Sequence, residues 1–301
     1  MENSGTYKQV TDLKVALAGL GGVGGCCARA LHICGVGKLI TADFDIFQPK
    51  NYSYQLFASP LTVSRRKTDV AENRLPQWFT SPTGVKTLQA DLKRRREAER
   101  LVDGADLVIC ALDNFAAQLP VAVACEKTQT PFALITGMGF CVQYTVYLPN
   151  PPHSYSSAWK HFSQRPQGKN ITEHSQVYQR MMKLQSVLFA AEMAGYTEEA
   201  LRSMLEDLRK NDKAQFYDLA GLNYTAAALG VLNALRYVTG QDGAVVFPDM
   251  VSLDMKHKRT FDGLQILKRL GALNRAWYKG NEAVLACIRK WRQTEERNSS
   301  V

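Results

Sequence analysis

The stretch that most narrows the possible folds is LKVALAGLGGVGGCCARALHICGV at 13–36, where an apolar run leads into glycines and then into small and apolar residues. Gly19, Gly21 and Gly24 are spaced as G-x-G-x-x-G, with a further glycine at Gly22. The apolar run suits a buried strand, and the small side chains suit a helix that must approach it closely. A glycine turn between the two lets backbone come near a phosphate, while the helix start offers unpaired N–H groups and a positive dipole end. Asp43, nineteen residues after Gly24 and at the end of the next apolar run, is placed to accept hydrogen bonds from ribose hydroxyls. These features suit a redox dinucleotide and ATP equally, and the turn alone could be purely structural.

The pattern beyond the glycines alternates. Strand-like KLITADF is followed by the loop DIFQPKNYSYQ, a helix around RRKTDVAENRL, the strand GVKTLQA, the helix DLKRRREAERLV and the strand ADLVICAL, which ends at Asp113 and Asn114. Such an order predicts a Rossmann-like α/β fold, a mostly parallel sheet with helices on both faces. PFALITGMG and CVQYTVYLP are both strand-like with no helix between them, so the sheet is expected to turn antiparallel at its C-terminal edge. Residues 150–174, rich in Pro, Ser, Gly and His, are expected to form a mobile crossover loop or lid. VYQRMMKLQSVLFAAEMAG, TEEALRSMLEDLRKN and LAGLNYTAAALGVLNALRYVTG read as helices, the last buried and ending at Gly240. The expected organisation is a nucleotide-binding domain over 1–250 and a basic, mainly helical tail over 251–301.

The composition fits a globular chain of 301 residues with enough apolar content for a full core. No segment approaches the roughly 18 apolar residues of a membrane span and no signal-peptide layout opens the chain, so a cytoplasmic location is expected. The seven cysteines form no C-x-x-C pair, which argues against a structural zinc site and a disulfide framework. Of the net charge of +9, six units lie in 251–301, with eleven Lys or Arg against five Asp or Glu. Such a tail suits nucleic acid, an acidic protein or an anionic substrate, but a solvated helix face is the plainer expectation, as it is for KRRREAER at 93–100. His32 reads as a surface or packing residue, and His153, His161 and His174 fall in the expected lid.

Taken together, GLGGVGG, ADFDIFQPKNYSYQ, RRKTDVAENRL and DLVICALDN resemble the ThiF, MoeB and E1 superfamily of adenylating enzymes. Their pattern is a glycine loop, D-x-D with N-x-x-R-Q downstream, a lysine about a dozen residues on, and a T-D-N-like strand end. The likeness extends over about residues 10–260, because YTAAALGVLNALRYVTG is similar to a late family helix and MVSLDMKHKRTF to a last strand. The resemblance implies that Gly19, Gly21, Gly22 and Gly24 shape a phosphate loop and that Asp43 holds ribose, with Asp45 completing the D-x-D. Asn51 and Gln55 would approach the phosphates, Lys67 would neutralise their charge, and Asp113 would help hold Mg²⁺.

The implied activity is adenylation of a carboxylate by MgATP, with release of pyrophosphate. The implied partner is the C-terminus of a ubiquitin-like or sulfur-carrier protein or of a peptide, or else the threonylcarbamoyl group of a modified tRNA, as in a tRNA threonylcarbamoyladenosine dehydratase. A homodimer is implied as well. Two departures stand out. Tyr54 occupies the position of the family arginine, leaving Arg65 and Arg66 as nearby cations, and the amino-terminal segment offers Lys8 and Lys14 rather than an arginine. No cysteine lies between Cys141 and Cys287, so a cysteine thioester is not expected. Cys141, Cys26 and Cys27 are expected to be buried. A non-catalytic E1-like adaptor and an NAD-dependent oxidoreductase remain as alternatives. The latter would leave Asn51, Gln55 and Lys67 without a role.

Overall fold

The structure, a computed structural model, describes residues 9–78, 84–138, 141–158, 184, 187–188, 197–210, 220–254 and 261–298. Strands β1 (Lys14–Ala18), β2 (Lys38–Asp43), β3 (Gly84–Gln89), β4 (Leu107–Cys110), β5 (Phe132–Met138), β6 (Cys141–Tyr147), β7 (Asp249–Asp254) and the short β8 (Phe261–Asp262) form one sheet. Their order is β3-β2-β1-β4-β5-β6-β7-β8. β3, β2, β1, β4 and β5 run parallel, and β6, β7 and β8 pair antiparallel, as the adjacent strand-like runs predict.

Helices cover both faces. On one, α1 (Gly22–Ile33), α2 (Lys67–Trp78) and α6 (Ala220–Val238) close over Val15, Leu17, Leu39, Leu107 and Ile109. On the other, α3 (Arg95–Val102) and α4 (Phe115–Thr128) pack on Ala16, Ala18, Ile40, Val108 and Cys110. Alternate residues of β1 therefore serve opposite faces, each inside a wall of apolar side chains, which is why a parallel strand reads as a continuous apolar run. Burying a side chain such as Leu17 or Phe57 contributes roughly 1.5–3 kcal/mol.

Some details depart from the pattern. α4 has no counterpart among the sequence-predicted elements: its buried residues include Ala117, Gln118, Val121, Ala122, Ala124 and Cys125, and Pro120 interrupts the run, so no clean helical stripe is visible. α3 begins only at Arg95, because Asp91 Oδ1 accepts the Lys93 N–H and holds residues 91–93 in a turn. The expected division at residue 250 falls inside β7, so the sheet runs on into the basic segment. There α7 (Gly263–Trp277) and α8 (Asn281–Asn298) join α5 (Glu198–Lys210) around Leu201, Leu205, Leu208, Leu273, Val284 and Ile288. Leu184, Val187 and Leu188 of the expected 177–195 helix belong to the same cluster, and the rest of that helix lies outside the described residues.

The basic run on α3 is largely internally paired: Arg95 bonds Glu99 at 2.8 Å, Arg100 bonds Glu97 at 2.6 Å, and Lys127 of α4 reaches Glu99 at 3.0 Å. Most of the expected 150–174 lid, His161 and His174 included, lies outside the described residues. His32 is a packing residue, buried at 2% exposure.

Candidate functional site

Sheet order reverses direction between β1 and β4, and the carboxyl ends of those two strands open toward the glycine turn. This is where open α/β sheets bind ligands. Gly19 leaves β1 with φ +97°, and a Cβ there would lie 3.0 Å from the Ala111 carbonyl oxygen beyond β4, so both conformation and space require glycine. A Cβ on Gly24 would stand 2.1 Å from the Gly19 carbonyl oxygen, so this glycine lets α1 fold back onto the turn. Gly25 plays a similar part against the buried Phe57 ring, docking the 48–57 segment on α1. Gly21 differs: a Cβ there would meet only Gln55 Nε2, at 3.9 Å. Gly21 is also the N-cap of α1, and no side chain caps that helix, so its first N–H groups have no side-chain acceptor.

Asp43, at the end of β2, is 8% exposed. Its Oδ2 accepts the Leu20 N–H at 2.7 Å and its Oδ1 the Asp45 N–H at 2.8 Å. Burial raises its carboxyl above the ordinary aspartate value, partly offset by the Lys67 charge and the two backbone N–H groups. Each oxygen keeps a lone pair for a further donor.

Lys67 opens α2 and is buried, at 5% exposure. Its Nζ lies 3.1 Å from Oδ2 of Asp45, a side chain that is half exposed. Arg65 and Arg66 precede it and are exposed.

Asn51 ends a short 3₁₀ turn, Pro49–Asn51, and its Oδ1 caps that turn by accepting the Gln48 N–H at 2.8 Å. Its Nδ2 donates to the Tyr54 hydroxyl at 3.0 Å. The Gln55 side chain is buried against the glycine turn, and its Oε1 has no hydrogen-bond partner. A buried amide oxygen without a donor, beside an uncapped helix start and a glycine whose Cβ position stays open, fits a ligand that carries both anionic and donor groups.

Asp113 follows β4 and is exposed. It is not the N-cap of α4; Asn114 is, its Oδ1 accepting the Ala116 N–H at 2.9 Å. Among the described residues no three His, Cys, Asp or Glu side chains come together. Magnesium needs no such cage, because it is held by one or two carboxylates together with phosphates and water.

Glycine turn, Asp43, Asn51, Gln55 and Lys67 thus surround one end of the sheet, with Asp113 at the end of the neighbouring strand. One residue of this region escapes a reading of motifs. Asn223 of α6 is 1% exposed and its Nδ2 donates to the Tyr54 carbonyl at 3.0 Å. The signal available in sequence is an amide on the buried stripe Leu222, Ala226, Ala227, Gly230 of an otherwise apolar helix.

The cysteines are arranged for packing. Burial raises Cys26 and Cys110 to about 12 and holds Cys27 and Cys125 higher still, whereas Cys34 is exposed. The Cys141 side chain lies outside what is described.

Comparison with known proteins agrees with the fold. The profile of the ThiF family matches residues 2–270. Ubiquitin-like modifier-activating enzyme 5 of Oryza sativa subsp. japonica is 32% identical over 133 residues, covering 40% of this chain and 31% of its own length. Sulfur carrier protein ThiS adenylyltransferase of Escherichia coli (strain K12) is 32% identical over 145 residues, covering 47% of this chain and 56% of its own. The matched segment therefore spans about a third of the activating enzyme and about half of the adenylyltransferase. Among solved structures, E. coli MccB with ATP superimposes at a TM-score of 0.60 with 16% identity, over 84% of this chain and 63% of that one. PaaA superimposes at 0.59 with 18% identity, over 84% and 64%. At such identities the likeness is one of fold.

Proposed function

The chain belongs to the ThiF family, and from that premise we propose that it is an ATP-dependent adenylyltransferase that activates a carboxylate as its acyl-adenylate. The carrying observation is Lys67: an ammonium 5% exposed at the first residue of α2, tied to Asp45 two residues beyond the buried Asp43. A redox dinucleotide site has no use for a buried cation there, whereas a nucleotide whose α-phosphorus must be attacked by an anion does.

In the proposed reaction a carboxylate oxygen of the substrate bonds to the α-phosphorus of ATP. The bond from that phosphorus to the oxygen bridging toward the β-phosphate breaks, and pyrophosphate leaves with the electron pair. Negative charge builds on the attacking and leaving oxygens, so preorganised cations and N–H donors accelerate the step. Lys67 Nζ and the uncapped first turn of α1 supply these, Asp43 accepts from the ribose hydroxyls, and Asn51 and Gln55 line the phosphate side. Mg²⁺, held by Asp113 together with the phosphates, would neutralise further charge.

The substrate proposed is the C-terminus of a small ubiquitin-like or sulfur-carrier protein or of a peptide. ThiS adenylyltransferase and the MccB structures with MccA support that range. The acyl group would pass to a nucleophile other than an enzyme cysteine, since burial keeps Cys26, Cys27, Cys110 and Cys125 protonated. A cytoplasmic homodimer completes the proposal; exposed Tyr224, Ala228 and Leu232 form an apolar stripe along α6 that supports self-association.

One observation favours a second reading, a non-catalytic adaptor. Tyr54 stands in place of the family arginine, and its hydroxyl is engaged by Asn51 rather than by a cation. Calorimetry with MgATP and with NAD, on the unaltered chain and on Asp113→Ala, separates the possibilities. MgATP binding that weakens in Asp113→Ala is expected, followed by substrate-dependent pyrophosphate exchange. Preference for NAD would indicate an oxidoreductase, and binding of neither would indicate the adaptor.

A further inference from the structure

Asn223 is separated from Tyr54 by 169 positions, yet it joins the two segments that border the proposed phosphate site. Its amide is wedged. Nδ2 donates to the Tyr54 carbonyl at 3.0 Å, a Cβ on Gly22 would lie 2.3 Å from that same Nδ2, and Oδ1 would lie 3.5 Å from a Cβ on Gly137 of β5. The peptide plane between Tyr54 and Gln55 is therefore held at both edges. Its C=O accepts from Asn223, and its N–H, that of Gln55, donates to the Asn51 carbonyl at 2.9 Å. That plane aims the Gln55 side chain at Gly21.

A buried amide on an apolar helix costs free energy unless it is bonded, and an alanine or leucine would satisfy the neighbouring apolar stripe with no such cost. The geometry explains the amide: a side chain short enough to fit over Gly22 and able to donate to a backbone carbonyl. We propose that Asn223 is a positioning residue for the nucleotide, setting the spacing between the glycine turn and Gln55. It touches only protein, so its effect is exerted through the Tyr54–Gln55 peptide. This inference rests on the ATP reading above.

The test is a double-substitution cycle read as MgATP affinity by calorimetry, with thermal midpoints recorded in parallel. Asn223→Ala and the isosteric Asn223→Asp, which turns the donor into an acceptor facing a carbonyl, are each expected to weaken MgATP about fivefold to tenfold. Gly22→Ala should weaken it in the unaltered chain, because its methyl group displaces the amide. In the Asn223→Ala background the same methyl has room and should cost little, so the two effects are strongly non-additive. A residue that only stabilises the fold would lower the thermal midpoint without coupling in nucleotide affinity. Intact MgATP binding in the unaltered chain with equal binding by Asn223→Ala and Asn223→Asp, or additive losses in the cycle, would overturn this inference alone. No MgATP binding by the unaltered chain would overturn the ATP reading and this inference with it.

Discussion

Lys67 is tied to Asp45 twice: its backbone N–H donates to the Asp45 carbonyl at 3.0 Å, and its Nζ to Asp45 Oδ2 at 3.1 Å. The first bond seats the start of α2 against the D-x-D segment, and the second holds the ammonium beside it. Because the Asp45 side chain is half exposed, water can solvate its carboxylate when the partner is removed. Lys67→Ala is accordingly expected to change stability by less than about 1 kcal/mol. Its adenylation rate should fall about a hundredfold or more, the scale of losing one preorganised charge partner. Pyrophosphate exchange and thermal melting, on the same preparations, check the two halves.

The glycines should separate by role. Gly24→Ala places a methyl 2.1 Å from a backbone oxygen that cannot step aside, and a loss of about 3 kcal/mol in stability is expected. Gly21→Ala meets nothing closer than 3.9 Å, so its melting temperature should stay near that of the unaltered chain while MgATP affinity drops. Equal melting losses in both variants would show that Gly21 is structural.

Asp43 provides a test with a definite sign. Its carboxyl is raised by burial, so protonation favours the folded state: the contribution is fully present below the ordinary aspartate value and is lost as pH rises through the folded value. Asp43→Asn loses the carboxylate's hydrogen bonds but also removes that pH-dependent cost. The melting difference, Asp43→Asn minus unaltered, should therefore become less unfavourable between pH 4 and pH 7. A difference that grows more unfavourable would contradict the assignment of desolvation as the dominant cause.

Thiol reactivity follows burial. The thiolate is the attacking form, and Cys26 and Cys110, raised to about 12, are protonated at neutral pH, as are Cys27 and Cys125. Burial raises Cys34 as well, but it is exposed. Iodoacetamide at pH 8 should modify Cys34 well before those four, slower than a free thiol and faster as pH rises. Rapid labelling of Cys26 or Cys27 in the folded chain would reopen a covalent role.

The α6 stripe carries the dimer proposal. Leu232 is 61% exposed and sits two turns from Tyr224, so Leu232→Glu should yield monomer where the unaltered chain is a dimer at micromolar concentration. Light scattering reads the outcome directly, and a monomeric unaltered chain would remove the dimer from the proposal.

What could be read along the chain was whatever short-range chemistry encodes. The alternation of apolar runs and helical segments carries the parallel sheet. The adjacency of PFALITGMG and CVQYTVYLP carries its antiparallel edge, and the glycine turn lies where its spacing says. Each depends on residues within a few positions of one another. Tertiary structure alone decided the rest. α4 lacks a readable period because its buried residues do not fall on one simple stripe. Asn114 rather than Asp113 caps it because only the adjacent residue's oxygen meets the Ala116 N–H. Lys67 is buried because its helix start docks on Asp45. Asn223 meets Tyr54 and Gly22 only once α6 has packed on α1, a contact that no local propensity specifies because its partners are brought together by the closing of the core.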